Sequence, residues 1–142
     1  MKNFNEQIIL VTGAAGNLGS AVVEAYLNAN GTVVALDHRT GRLSGRFDSI
    51  ESAGKVHLFE GVDLTDRQAV SALAKRVRDE VGLVNVIVNI VGGFAAGDPV
   101  HELPLKMFYQ MIELNVSTFL NTSAGFIPHL QEQGGGKVIT IG

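Results

Sequence analysis

The 142 residues include 14 acidic and 11 basic side chains, a net charge of −3, and are 46% apolar. That balance supports a single folded domain over residues 1–142 and excludes a disordered chain. There is no Lys/Arg block of the kind a nucleic-acid surface needs, no cysteine for disulfides, zinc thiolates or nucleophiles, and no apolar run near the roughly 18 residues that span a membrane.

The polar start from Met1 to Glu6 has no apolar leader core, and the lack of cysteine fits a reducing cytoplasm. Residues 8–12 (Ile-Ile-Leu-Val-Thr) form a short apolar run that reads as a buried first strand. Residues 17–30 place Leu18, Ala21, Val22, Ala25 and Tyr26 at helical spacing, with Gly31 as the expected stop. Residues 32–36 read as a second strand. The polar, Gly/Ser-rich stretch 39–54 reads as a loop with a short helix near 47–52. Residues 55–60 read as a third strand.

Residues 66–81 align Val70, Leu73, Ala74, Val77 and Val81 on one helical face, with Thr65 or Asp63 as the expected cap. The β-branched run 85–91 reads as a fourth strand, followed by a small-residue loop at 92–99. Residues 103–130 are helical in pattern: a short segment, then a long helix from about Lys106 with Pro128 near its end. Gly134-Gly135-Gly136 breaks the chain before a fifth strand at 137–141. Strands alternating with helices at this spacing predict right-handed crossovers and a doubly wound parallel sheet in order 3-2-1-4-5, helices on both faces. The chain stops directly after an apolar strand, so a domain cut short after strand five is expected.

The first strand runs into Thr12-Gly13-Ala14-Ala15-Gly16-Asn17-Leu18-Gly19, with glycines three apart. At a strand–helix junction, Gly13 allows a tight turn, Gly16 lets backbone amides approach a pyrophosphate, and Gly19 lets the helix pack against the strand. The amides that open the helix then face the phosphates. A P-loop is excluded, since Ser20 follows Gly19 with no lysine between. Asp37 follows the second strand, about 20 residues past the glycines, where a carboxylate accepts the adenosine ribose hydroxyls and repels a 2′-phosphate. That favours NAD over NADP, although Arg39 stands within reach of such a phosphate.

Taken together, these segments resemble the short-chain dehydrogenase/reductase family, in the same order and over essentially the whole chain. Thr12-Gly13-x-x-Gly16-x-x-Gly19 resembles its cofactor loop, so the resemblance assigns cofactor contacts to Gly13, Ala15, Gly16, Asn17, Leu18 and Gly19. Asp63-Leu64-Thr65-Asp66 resembles the segment whose first two residues touch the adenine ring. Asn89-Ile90-Val91-Gly92-Gly93 stands where the family has Asn-Asn-Ala-Gly and keeps Asn89 and Gly92, so the resemblance assigns cofactor contacts to Asn89, Val91 and Gly92. Leu114-Asn115-Val116 resembles the helical Asn of the family's Asn-Ser-Tyr-Lys set, and residues 136–141 the strand that leads to its Ser.

The resemblance implies hydride transfer between a nicotinamide and a small-molecule carbonyl or alcohol. In that scheme a Tyr is the acid/base and a Lys lowers its pKa, because a phenol titrating near 10 is a poor base at neutral pH. The Ser positions the substrate oxygen and the Asn holds a water. Only Asn115 of that set is present: neither Tyr26 nor Tyr109 has a Lys four residues on, and the Ser falls beyond Gly142. For Asn115, bonding to backbone at a helix kink is an equally good account of its place. The resemblance also implies homo-oligomers built through the long helix.

Other polar residues are weaker candidates. His38, His57, His101 and His129 lack metal-ligand spacing and read as surface or strand-end residues, so no metal is expected. Phe94 is a candidate for lining a substrate pocket or for simple packing. His101-Glu102 is a candidate for touching substrate but reads better as a helix entry near Leu103-Pro104, and residues 75–80 read as a solvated helix face. Three functional readings follow: an NAD-dependent dehydrogenase whose catalytic Ser, Tyr and Lys are missing from these 142 residues, a non-catalytic NAD-sensing module, and a remnant that binds nothing and pairs through its last strand.

Overall fold

The computed structural model describes residues 4–51 and 54–141. Met1–Asn3 of the polar start, Ser52 at the expected end of the short helix, and Gly142 lie outside them. Five strands, β1 (Ile8–Thr12), β2 (Thr32–Asp37), β3 (Val56–Glu60), β4 (Val86–Asn89) and β5 (Lys137–Thr140), form one sheet in the order β3-β2-β1-β4-β5. Every neighbouring pair is parallel, as the alternation of strand and helix predicts. The helices are α1 (Asn17–Asn28), α2 (Ser44–Glu51), α3 (Arg67–Glu80), α4 (Leu105–Ile112) and α5 (Thr118–Glu132).

The strands are apolar on both sides because both faces are covered. Ile9, Val11, Val33, Ala35, Val86 and Val88 pack with Val23 of α1, Phe47 of α2 and Leu43 just before α2. Their alternates Leu10, Val34, Leu36 and Ile87 pack with Val70, Leu73, Ala74 and Val77 of α3 and with Phe126 and Leu130 of α5. β5 pairs on one side only, and Val138, Ile139 and Ile141 are exposed. Among the described residues no helix is long and apolar enough to cross a membrane.

Several local expectations are corrected. The buried line of α1 runs through Gly19, Ser20 and Val23, while Leu18, Ala21 and Ala25 face outward. Gly19 lacks a side chain, so the helix lies closest to the sheet there and the inward face rotates toward it. Asn30, not Gly31, takes the left-handed conformation that ends α1, with φ +66. The Gly31 amide bonds the Tyr26 carbonyl and the Asn30 amide the Leu27 carbonyl, which is a Schellman closure. Asp66, neither Thr65 nor Asp63, caps α3, accepting from the amides of Gln68 and Ala69. The short helix spans Ser44–Glu51 rather than starting near Phe47. The 103–130 region is one helical rod from Leu105, with a π-helical turn at Glu113–Ser117 joining α4 to α5 and Pro128 inside α5.

His129 is the largest departure. Expected at the surface, it is 4% exposed on α5, with its ring tilted against Phe126 and its Nδ1 accepting the Val84 amide at 3.3 Å. Burial first, and then the positive charge of Arg78, hold its pKa below the ordinary 6.5. The unfolded chain therefore binds the proton more readily than the folded one. The stabilisation is complete above 6.5 and is lost as pH falls through the depressed folded value. Urea unfolding from pH 8 down to pH 5 is expected to show a declining midpoint. His129→Phe keeps the ring but leaves the Val84 amide unpaired, so it costs about 1–3 kcal/mol at pH 8 and flattens that decline. An unchanged pH slope in the variant would rule His129 out as its source.

Candidate functional site

At the C-terminal ends of β1, β2 and β4 the chain opens into a cleft with two adjoining lobes, at the point where strand order reverses on either side of β1. One lobe, of about 300 Å³, lies over β2 and the Gly61–Thr65 segment after β3. The other, of about 390 Å³, lies over the glycine turn and the loop after β4. Gly13, Asp37, His38, Val91 and Leu114 border both. Of the predicted cofactor residues, all but Ala15 and Asn89 line one lobe or the other.

The glycine turn is built by close approach. Gly13 has φ +64, and a Cβ there would meet Val91 Cγ2 at 3.3 Å. A Cβ on Gly19 would sit 2.1 Å from the Gly13 carbonyl oxygen, which is impossible without moving the backbone. Gly16 occupies the N-cap position of α1 and no side chain caps the helix. The Gly16 amide bonds the Gly13 carbonyl at 3.0 Å within the turn, and Ser20 is the first residue of α1 whose amide bonds back, to the Gly16 carbonyl at 2.9 Å. The amides of Asn17, Leu18 and Gly19 precede it and are the open donors of the helix start.

Asp37 ends β2 and turns toward that loop. Its Oδ2 accepts the Ala15 amide at 3.3 Å and its Oδ1 the Arg39 amide at 3.0 Å. Ala15 lines neither lobe and gives its amide to Asp37. Arg39 and Arg42 border the lobe over the glycine turn. In the other lobe, Asp63 Oδ1 accepts both the amide and the hydroxyl of Thr65, at 2.9 and 2.6 Å. Those bonds, the hydroxyl's first, lower its pKa and keep it ionised. Leu64 is buried behind it.

Asn89 lies beneath the floor, 4% exposed, with its Nδ2 unpaired among the described residues. Asn115 sits in the π-helical turn. Its Oδ1 accepts the Gly93 amide at 3.0 Å, while its Nδ2 donates to the carbonyls of Gly93 at 3.0 Å and Met111 at 2.8 Å. A Cβ on Gly92 would meet Asn115 Oδ1 at 2.8 Å, so Gly92 lets the turn approach the loop. The backbone-bonding account of Asn115 thus describes its contacts. Phe94 is 88% exposed and lines neither lobe, and His101 faces Glu102 at 3.5 Å on the surface. No group of three or more metal-ligating side chains occurs among the described residues.

Three residues that shape the cleft were not singled out from the sequence. Thr12 Oγ1 accepts the amides of Ile90 and Val91, at 3.0 and 3.2 Å, and ties β1 to the loop after β4. Asn121 Nδ2 donates to the carbonyls of Leu64 and Thr65 from α5. Glu60 accepts three amides of the segment after β2. A Thr at the last strand position before the first glycine was a readable sign; the other two contacts join elements far apart in the chain.

A family model described as short chain dehydrogenase matches residues 7–142. The 7alpha-hydroxysteroid dehydrogenase of Escherichia coli (strain K12) is 30% identical over 132 residues, 93% of this chain and 51% of that protein. The 3beta-hydroxysteroid dehydrogenase of Mediterraneibacter gnavus is 30% identical over 138 residues, 97% of this chain and 50% of its own length. A solved structure of a 7 alpha-hydroxysteroid dehydrogenase complexed with NADH and 7-oxo glycochenodeoxycholic acid superposes with a TM-score of 0.86 at 28% identity, covering 98% of this chain and 54% of that one. The chain thus spans about half the length of the relatives it matches.

The glycines make separable predictions. Gly19→Ala destabilises by about 1–3 kcal/mol, the usual cost of forcing atoms into a packed contact. Gly45→Ala, at an open site where a Cβ meets nothing within 4 Å, stabilises α2 by roughly 0.5–1 kcal/mol. Denaturant midpoints of both variants check this, and equal effects of one sign would discount the close-approach account.

Proposed function

Because the chain belongs to the short-chain dehydrogenase family, we propose that its cleft binds NAD(H), in preference to NADP(H), and that the protein is an oxidoreductase acting on a small-molecule carbonyl or alcohol. The observation that carries the proposal is the start of α1, uncapped by any side chain and facing a cleft that the Asp37 carboxylate borders from β2. Open amides favour a diphosphate and a carboxylate favours ribose hydroxyls, so the two ends suit opposite parts of one dinucleotide. When bound, the nicotinamide accepts or supplies the hydride.

The rest of the reading concerns the chain's own residues. Gly13, Gly16, Asn17, Leu18 and Gly19 form the diphosphate cradle. Asp37 binds the adenosine ribose and, as an anion, opposes a 2′-phosphate; Arg39 supplies a partly compensating charge. Asp63 and Leu64 flank the adenine, while Asn89, Val91 and Gly92 shape the nicotinamide end. Asn115, beyond any water it holds, steadies that end through Gly93 and Met111. The exposed apolar side chains of α4 (Leu105, Phe108, Tyr109 and Ile112) suit it to a homo-oligomer contact, and the cysteine-free composition suits a cytoplasmic setting.

A second reading is a non-catalytic NAD-binding module, which uses the same open helix start and the same Asp37 carboxylate. On either reading the purified 142-residue polypeptide binds NADH without turning over a panel of aldehydes and ketones. Measurable NADH-dependent reduction would refute that. Fluorescence titration is expected to show tighter binding of NADH than of NADPH. Asp37→Ser should weaken NADH by roughly tenfold or more, the scale of hydrogen bonds to a charged group, and erase the preference. Equal affinities in the unmodified chain would overturn the NAD assignment.

A further inference from the structure

The segment between β2 and α2 carries His38, Arg39 and Arg42, all of which border the lobe over the glycine turn. It leads into a helix with an unusual start. The helical pattern opens at Leu43, whose carbonyl accepts the amides of Arg46 and Phe47. Leu43 is fully buried and its side chain has no oxygen, so it cannot cap the helix. The cap comes instead from a neighbouring strand. Glu60, the last residue of β3, directs its Oε1 to the amides of Leu43 at 2.5 Å and Ser44 at 3.0 Å, and its Oε2 to that of Gly41 at 2.6 Å.

One carboxylate therefore gathers three amides of the segment, 16 to 19 residues away in the chain. Glu60 is also the register partner of Asp37. The two acids stand side by side at the ends of paired strands. One turns to the glycine loop, and the other turns to the segment carrying the arginines. The backbone amides hold Glu60 in its ionised form and lower its pKa. Gly61, in the left-handed region with φ +72, lets the chain turn away after Glu60 beneath Thr40, whose Cγ2 lies 3.4 Å from where a Cβ would stand.

We propose that Glu60 is a positioning residue for the adenosine end of the cleft, fixing the Gly41–Ser44 backbone so that Arg39 and Arg42 are held where Asp37 alone governs the ribose. This rests on the reading of the cleft as a dinucleotide site. With Glu60 in place, the segment is anchored at both ends, by Asp37 at Arg39 and by Glu60 at Gly41, Leu43 and Ser44. Without it, the Arg39–Arg42 stretch is free to move toward a 2′-phosphate. Affinity for NAD falls because its binding surface is no longer pre-formed, while NADP gains a mobile cationic partner.

The test compares the unmodified 142-residue chain with Glu60→Gln, and with Glu60→Asp in case the glutamine variant does not fold. Amide hydrogen exchange and titrations with NADH and NADPH are read for each. The expected result is faster exchange at Gly41, Leu43 and Ser44, with the β1 and α3 amides unchanged. NADH affinity should fall about tenfold and NADPH affinity by less than about threefold, on the scale of charge-assisted hydrogen bonds. A merely stabilising residue would lower both affinities together and leave their ratio unmoved, which overturns the proposal. Unchanged exchange at the three amides overturns it as well. If the unmodified chain binds neither dinucleotide, the dinucleotide reading itself fails, and the specificity role of Glu60 fails with it.

Discussion

The structure depends on how closely α1 can approach β1. The Gly13 carbonyl lies where a Cβ on Gly19 would have to be, 2.1 Å away, so the helix reaches the strand only because that atom does not exist. The approach does two things at once. It buries Ser20 and Val23 against the sheet, and it leaves the helix to begin abruptly, with a glycine at the N-cap and no side chain over its first amides. A larger residue at position 19 would push the helix away and move those donors off the cleft. The same atoms therefore set both the packing and the placement of the open amides, and neither can change alone.

Around that contact the cleft is held by side chains that bond the backbone of a different element. Thr12 holds the loop after β4, Asp37 the glycine turn, Asn115 the Gly93 peptide, and Asn121 the Leu64 and Thr65 carbonyls. Each bond links a strand end or helix to a loop that has no secondary structure of its own. A parallel sheet delivers several loops to one edge without joining them to each other, so such cross-links make the edge a fixed surface. The π-helical turn belongs to the same set. From it Asn115 donates to the Met111 carbonyl while it reaches Gly93.

Much of this was legible in the sequence. The strands were visible because apolar β-branched runs have one explanation when both sides of a sheet are covered, and the parallel order followed from their alternation with helices. The glycine spacing marked the turn, and the position of Asp37 marked its partner. On α1 the periodicity marks Val22 and Tyr26, which pack against the core, but also Leu18, Ala21 and Ala25, which face outward, because it cannot weigh the missing side chain at Gly19. Asn30 closed α1 where a glycine was expected, since asparagine also tolerates the left-handed conformation. His129 reads as a surface residue in the sequence because a histidine's neighbours do not show that the Val84 amide meets it from 45 residues away.

The order of the elements, the apolar strands and the small-residue turn were thus determined by the sequence itself, because each rests on neighbours within a few residues. Only the tertiary structure decided that Thr12 grips the loop after β4, that Glu60 caps a helix preceded by a leucine, and that Asn115 sits in a π turn against Gly93. Each of these is a polar side chain meeting a backbone group far along the chain. A local pattern carries no record of such a meeting, because the partner is chosen by where the sheet brings the strand ends together.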